Sequence, residues 1–157
     1  MGSDGESCTA RAPGSVGNVG VGFDILGHAF DAVADQVTAR RSCAPGVRLA
    51  CSGPDSHGIP LDPEKNTAGR AALAVLQLAN APWGVDLEVR KGIPVGSGLG
   101  GSGASAVAAA VAVNGLLETP LGNLELLDCA LDGEAVATGS RVIDNVAASL
   151  LGGLVFA

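Results

Sequence analysis

Aromatic side chains are scarce in this sequence: they make up 3% of its 157 residues, with three Phe, one Trp and no Tyr. The core must therefore be assembled from Ala, Val, Leu and Ile, and a hydrophobic content of 47% supplies enough of them. Basic residues are also few. Lys and Arg number 9 against 16 Asp and Glu, for a formal net charge of −7. That balance argues against a nucleic-acid partner, which requires a basic face to neutralise phosphates. Only His28 and His57 represent histidine, and Cys8, Cys43, Cys51 and Cys129 include no CxxC pair. No zinc site is expected, and the thiols read as free and reduced, as in a cytosolic protein. Met1 to Ser7 is polar and acidic, with neither the basic start nor the apolar run of a signal peptide. The longest apolar stretch, Ala104 to Val113, is too short to cross a bilayer. The expectation is a soluble cytoplasmic protein with no membrane partner.

What the sequence has in abundance is glycine, 24 residues of it, placed between apolar periodic segments rather than in polar repeats. This is a chain that turns tightly or approaches something closely, and not a disordered one. Residues 1–7 read as a loose tail, Cys8 to Ala12 as a strand, and Pro13 to Gly27 as a glycine-rich loop. Asp35 to Arg41 and Val47 to Cys51 read as strands joined by a turn at Pro45-Gly46, followed by a polar loop from Ser52 to Lys65. Asn66 to Asn80 has helical spacing, with Ala71, Val75 and Leu78 on one face, Asn66 or Thr67 as cap, and Pro82 beyond its end. Gly84 to Arg90 alternates as a half-buried strand. Helices are predicted over Ser102 to Leu117, over Asn123 to Thr138 with Gly139 as the breaker, and over Asp144 to Leu150 with Asp144 as cap. A last strand starts at Gly153. Strands and helices mix without strict alternation, so the fold class is α+β, and no repeat or linker divides the 157 residues into more than one domain.

The segment from Pro94 to Gly103, Pro-Val-Gly-Ser-Gly-Leu-Gly-Gly-Ser-Gly, leads into a helix. Glycines so placed let backbone N–H groups face a ligand, and the helix adds its positive end, making an anion cradle that needs no lysine. The loop lacks the Gly-Lys-Ser/Thr ending of a P-loop. Gly96, Gly98 and Gly101 satisfy Gly-x-Gly-x-x-Gly, but the loop does not follow the first strand as a dinucleotide fold requires. On spacing alone, a phosphate site and a purely structural turn both remain open. Ser102 either caps the helix or binds magnesium on the phosphates.

Pro94 to Gly103 resembles the phosphate-wrapping signature of GHMP kinases. Pro13 to Gly27, with its intact Asn-x-Gly-x-Gly-Phe-Asp-x-Leu-Gly core, is similar to the first signature of the homoserine kinase family within that superfamily. Gly139 to Ala147, followed by Leu150-Leu151-Gly152-Gly153, resembles that family's third motif. The resemblance implies a GHMP N-terminal domain with a left-handed β-α-β crossover. The implied reaction is transfer of the ATP γ-phosphoryl group to the hydroxyl of L-homoserine, on the route to threonine. By the same resemblance Pro94, Gly96, Ser97, Gly98, Leu99, Gly100, Gly101 and Ser102 would hold the ATP phosphates. Ser102 and Glu134 would coordinate magnesium, and Asn18, Asp24, Asp144 and Asn145 would surround homoserine. Asp144 and Asn145 are the catalytic candidates, with the role of base left open. Each residue also has a plainer reading: Asp24 as a turn, Asp144 as a cap, Glu134 as a solvated carboxylate, His28 as structural.

The match departs from the family in four places. Val142 stands where His is usual, Gly101 and Gly103 replace Ser and Ala, and Ala148 replaces Pro. The chain also ends at Ala157, where the resemblance calls for a second, C-terminal GHMP domain; an exposed apolar docking surface, and with it homodimer formation, is therefore expected. Two alternatives stand beside homoserine phosphorylation: another GHMP kinase acting on a sugar or isoprenoid alcohol, and a non-catalytic nucleotide-binding domain.

Overall fold

The computed structural model describes residues 5–20 and 25–156. Strand β1 (Ser7–Val16) pairs antiparallel with the long β2 (Leu26–Ser42), which pairs antiparallel with β4 (Gly84–Arg90). Strand β3 (Val47–Ser52) lies parallel to β4, and β5 (Leu154–Phe156) pairs with the start of β2. The five-stranded sheet has the order β1-β2-β4-β3, with β5 off that path. Helices α1 (Thr67–Leu78), α2 (Gly101–Asn114), α3 (Asn123–Thr138) and α4 (Ile143–Leu151) complete the described chain, and α1 is the crossover between the parallel strands β3 and β4.

Helix α2 forms the centre. It packs on β1 and β2, on α1 and α3, and on α4, and it is buried on almost every side. Its Ala and Val residues explain how the molecule manages with so few aromatics: small side chains let the helices approach closely. At Gly133 of α3 a Cβ would lie 2.4 Å from the Thr67 carbonyl and 3.0 Å from Ala106 Cβ, so α3 meets α1 and α2 nearly backbone to backbone.

Several boundaries differ from the sequence reading for identifiable reasons. Ser7 opens β1 opposite Arg40 instead of ending a loose tail. The loop expected from Pro13 is strand as far as Val16, because Gly14 to Val16 pair with Phe30 to His28. Pro13 sits at a register shift: it faces Ala34, Gly14 faces Phe30, and residues 31–33 of β2 have no counterpart. A residue without an N–H is tolerated at such an irregularity, and the bend hides the alternation of β2. Helix α2 ends at Asn114, three residues before Leu117. Asn66 does cap α1, accepting from Gly69 N–H at 3.1 Å. Asp144 does not cap α4. Val142 holds the extended cap position and Asp144 lies in the first turn, its carboxylate shared between the Asn145 N–H of that turn and the Asn18 N–H. Strand β5 presents Leu154 and Phe156, 65% and 80% exposed. Among the described residues no helix is long and apolar enough to cross a membrane.

Candidate active site at the glycine loop

The glycine loop leaves β4 at Lys91 and enters α2 at Gly101. Gly96, Gly98 and Gly100 all have left-handed φ, 73°, 73° and 67°. Gly100 is the position where this is most constrained: it caps α2, and a Cβ there would stand 2.2 Å from Ser15 Oγ. At Gly96 and Gly98 a Cβ would meet nothing within 4 Å, so that stretch faces open space. The space is a cavity of ≈ 750 Å³, within the range of small-molecule sites. Its walls include the loop, Asn66, Lys91, Glu134, Thr138 and Asn145.

The two residues expected on magnesium meet here. Ser102 is one residue inside α2 and caps nothing; its hydroxyl donates to Glu134 Oε1 at 2.9 Å. Glu134 is 5% exposed, and its Oε2 is the one buried side-chain atom without a hydrogen-bond partner among the described residues. Burial raises the Glu134 pKa above its ordinary value; the Ser102 hydrogen bond opposes this, the negative charge of Asp144 adds to it, and the positive charge of Lys91 again opposes it. A buried carboxylate oxygen with no donor is costly unless something else takes it up. That rules out the solvated-carboxylate reading of Glu134.

The residues expected around the alcohol also converge. Asp144 is 1% exposed. Its Oδ2 accepts from the Asn18 backbone N–H at 3.2 Å and its Oδ1 from the Asn145 N–H at 2.7 Å. The approach is close enough that a Cβ at Gly17 would fall 1.9 Å from Asp144 Oδ2. Asn145 Oδ1 accepts from Ser15 Oγ at 3.1 Å, and the Ser15 N–H donates to the Leu99 carbonyl at 3.0 Å. Ser15 thus joins the first motif, the glycine loop and the third motif. Asp24 lies outside the described residues. His28 is an exposed β2 residue opposite Leu154 and Val16.

Of the basic residues near the motifs, Arg11 pairs with Asp31, and Arg141 pairs with Asp128 and Asp132 on α3. Lys91 points inward, to Asp35 and Ser105. Sequence reasoning assigned no role to Asp35, Ser105 or Ser15. The available signals were a carboxylate at the start of the predicted Asp35 to Arg41 strand and a lysine at the mouth of the loop.

A model of the family described as "GHMP kinases N terminal domain" matches residues 66–153. The chain is 52% identical over 146 residues to the homoserine kinase of Xanthomonas campestris pv. campestris, covering 93% of this chain and 45% of that one. It is 50% identical over 149 residues to the homoserine kinase of Methanopyrus kandleri, covering 95% and 47%. The crystal structure of homoserine kinase from Cytophaga hutchinsonii superimposes with a TM-score of 0.90 at 41% identity, over 99% of this chain and 50% of that one. Methanococcus jannaschii mevalonate kinase, at a TM-score of 0.74 and 18% identity, shares the fold. The chain spans about half the length of the relatives it matches. A glycine loop running into a buried helix, the parallel β3-α1-β4 crossover beside it, and a match across 66–153 agree: the chain belongs to the GHMP kinase N-terminal domain family.

Proposed function

We propose that this chain, all of it one nucleotide-binding domain, supplies the phosphate and metal sites, and part of the alcohol site, of an ATP-dependent homoserine kinase. The product would be O-phospho-L-homoserine, a step toward threonine. The carrying observation is Glu134: a buried carboxylate, one oxygen held by Ser102 and the other without a partner, at the lip of a glycine loop facing a nucleotide-sized cavity. Such an oxygen suits a divalent cation, and Ser102 with Glu134 is a sparse protein shell of the kind magnesium takes on phosphates. Bound there, magnesium would neutralise phosphate charge as it develops.

The rest is the work of this chain's own groups. The backbone of Pro94 to Gly101, with the start of α2, cradles the phosphates through N–H groups. Asn18, Asp144 and Asn145, linked to the loop through Ser15, hold the alcohol, and the family resemblance assigns Asp24 to the same role. The alcohol oxygen bonds to the γ-phosphorus as the bond to the β–γ bridging oxygen breaks; ADP leaves, and the hydroxyl proton is released to a phosphate oxygen and from there to water. Asp144 has both oxygens engaged by N–H groups, so its part is to orient the alcohol and Asn145. Positioning of this kind supplies most of the catalysis in phosphoryl transfer.

The test is ADP release with ATP, magnesium and L-homoserine, against L-serine and mevalonate. The expected result is release that depends on homoserine and is lost in Glu134→Ala. Release with mevalonate alone would move the assignment within the superfamily. Magnesium-dependent ATP binding with no turnover on any alcohol would leave a nucleotide-binding domain.

A further inference from the structure

The lysine at the mouth of the glycine loop is buried and fully committed. Lys91 is 6% exposed, Asp35 0% and Ser105 4%. The Lys91 ammonium donates to Asp35 Oδ2, to Ser105 Oγ at 2.8 Å and to the Gly101 carbonyl at 2.9 Å. An ammonium has three protons, and all are used. The Ser105 hydroxyl donates to Asp35 Oδ2 at 2.6 Å. Asp35 Oδ1 accepts from Gly92 N–H at 2.9 Å and Ile93 N–H at 3.0 Å. Every polar group in the cluster is satisfied internally, so Lys91 has no proton to offer a phosphate.

The placement of these bonds matters more than their number. Gly92 and Ile93 are the second and third residues after β4, and Gly101 is the first residue of α2. One carboxylate and one ammonium therefore hold both ends of the loop. Between those ends the Ser97 N–H meets the Pro94 carbonyl at 3.3 Å, the Leu99 carbonyl receives the Ser15 N–H, and Leu99 packs on the core. The bend of β2 at residues 31–33 ends at Ala34, where the strand re-enters register one residue before Asp35. We propose that Lys91, with Asp35 and Ser105, is a positioning clamp that sets the span of residues 92–101 before nucleotide arrives, and so sets nucleotide affinity without touching the nucleotide. This rests on the reading of the loop as a phosphate site. A preformed loop has less ordering entropy to lose on binding.

Lys91→Met alone would leave Asp35 buried without its cation and endanger the fold. The test therefore uses the double variant Asp35→Asn/Lys91→Met, which removes both charges at similar volume, and the milder Ser105→Ala. Two quantities are read on each: amide hydrogen exchange along the ligand-free chain, and affinity for Mg·ATP. The double variant should exchange about tenfold faster over residues 92–101 while α3 stays at its original rate, and should bind Mg·ATP about tenfold more weakly. Ser105→Ala should show the same pattern at smaller amplitude, and it decides the matter alone if the double variant does not fold. Unchanged exchange over 92–101, or a rise spread evenly over the whole chain, would overturn the clamp. Failure of the unsubstituted chain to bind Mg·ATP would instead overturn the phosphate reading, and the exchange pattern would still decide the clamp.

Discussion

Two buried carboxylates flank the glycine loop, and their surroundings are opposite. Asp35 receives two backbone N–H groups, a hydroxyl and an ammonium. Glu134 receives one hydroxyl, and its second oxygen has nothing. Both side chains are almost wholly enclosed, so burial does not distinguish them. What does is whether the protein has completed the hydrogen bonding. A completed carboxylate belongs to the scaffold; an incomplete one stores a cost that a ligand can relieve. On the two sides of one loop, the molecule completes the first internally and leaves one oxygen of the second unpartnered, the oxygen we propose for the cation.

Substitution should separate the two sharply. Asp35→Ala leaves the Lys91 ammonium buried and unpaired and frees the Gly92 and Ile93 N–H groups. Breaking one partner of a buried pair costs about 3–5 kcal/mol, a large fraction of the stability of a domain this size. Urea unfolding should show a lowered midpoint or a chain that does not fold. Glu134→Gln should behave in reverse. Its amide still accepts from Ser102, and no charge has to be desolvated, so stability should stay within about 1 kcal/mol or rise. The loss should fall on Mg·ATP affinity, by about 10- to 100-fold for a charge-assisted contact of about 1.5–3 kcal/mol. Equal stability losses in the two variants would erase the contrast.

Acidity sharpens it further. The Glu134 pKa is raised above its ordinary 4.5 by burial and by Asp144, against the Ser102 hydrogen bond and Lys91. A carboxyl group with a raised folded-state pKa favours the folded state when protonated. Its stabilising contribution is complete below the unfolded value and disappears as pH rises through the folded one. Magnesium requires the ionised form. As pH falls through the raised pKa, Mg·ATP affinity should therefore weaken while this group's contribution to stability grows. Isothermal titration and thermal melting across that window should diverge in direction, and Glu134→Gln should flatten this component of both.

The sequence revealed the ends of some elements to the residue and hid others. Strand β4 at Gly84–Arg90 and helix α3 at Asn123–Thr138 were legible because strict alternation marks one and Gly139 stops the other. The cap of α1 was narrowed to Asn66 or Thr67 because both residue types favour that position, and Asn66 fills it. Strand β2 was half hidden, since its bend at 31–33 breaks the period on which a strand is recognised. At the site, the glycine loop was read from its motif, and Ser102 and Glu134, 32 positions apart and paired only by the family resemblance, do meet. Asp144 was read partly as a cap, yet its carboxylate reaches Asn18, 126 positions away, a contact no local pattern encodes. Asp35 and Ser105 were missed for the same reason: an acid in a strand and a serine in an alanine helix acquire meaning only once β2 and α2 are packed.

The smallest expected effect lies at Gly103, where Ala is usual in the family. Glycine inside a helix is less favourable than alanine by up to about 1 kcal/mol, and nothing in the packing requires it. A Cβ there would meet Val146 Cγ2 at 3.4 Å, ordinary contact, and Glu134 Oε2 at 3.8 Å. Gly103→Ala should therefore raise the unfolding midpoint modestly. The added methyl also lies beside the carboxylate oxygen that lacks a partner, and it supplies no hydrogen bond. It can only enclose that oxygen further, so Mg·ATP affinity should stay level or fall slightly while stability rises. A variant that gained both would mean that Glu134 Oε2 is reached from another side, and that the glycine is a tolerated substitution with no bearing on the cation.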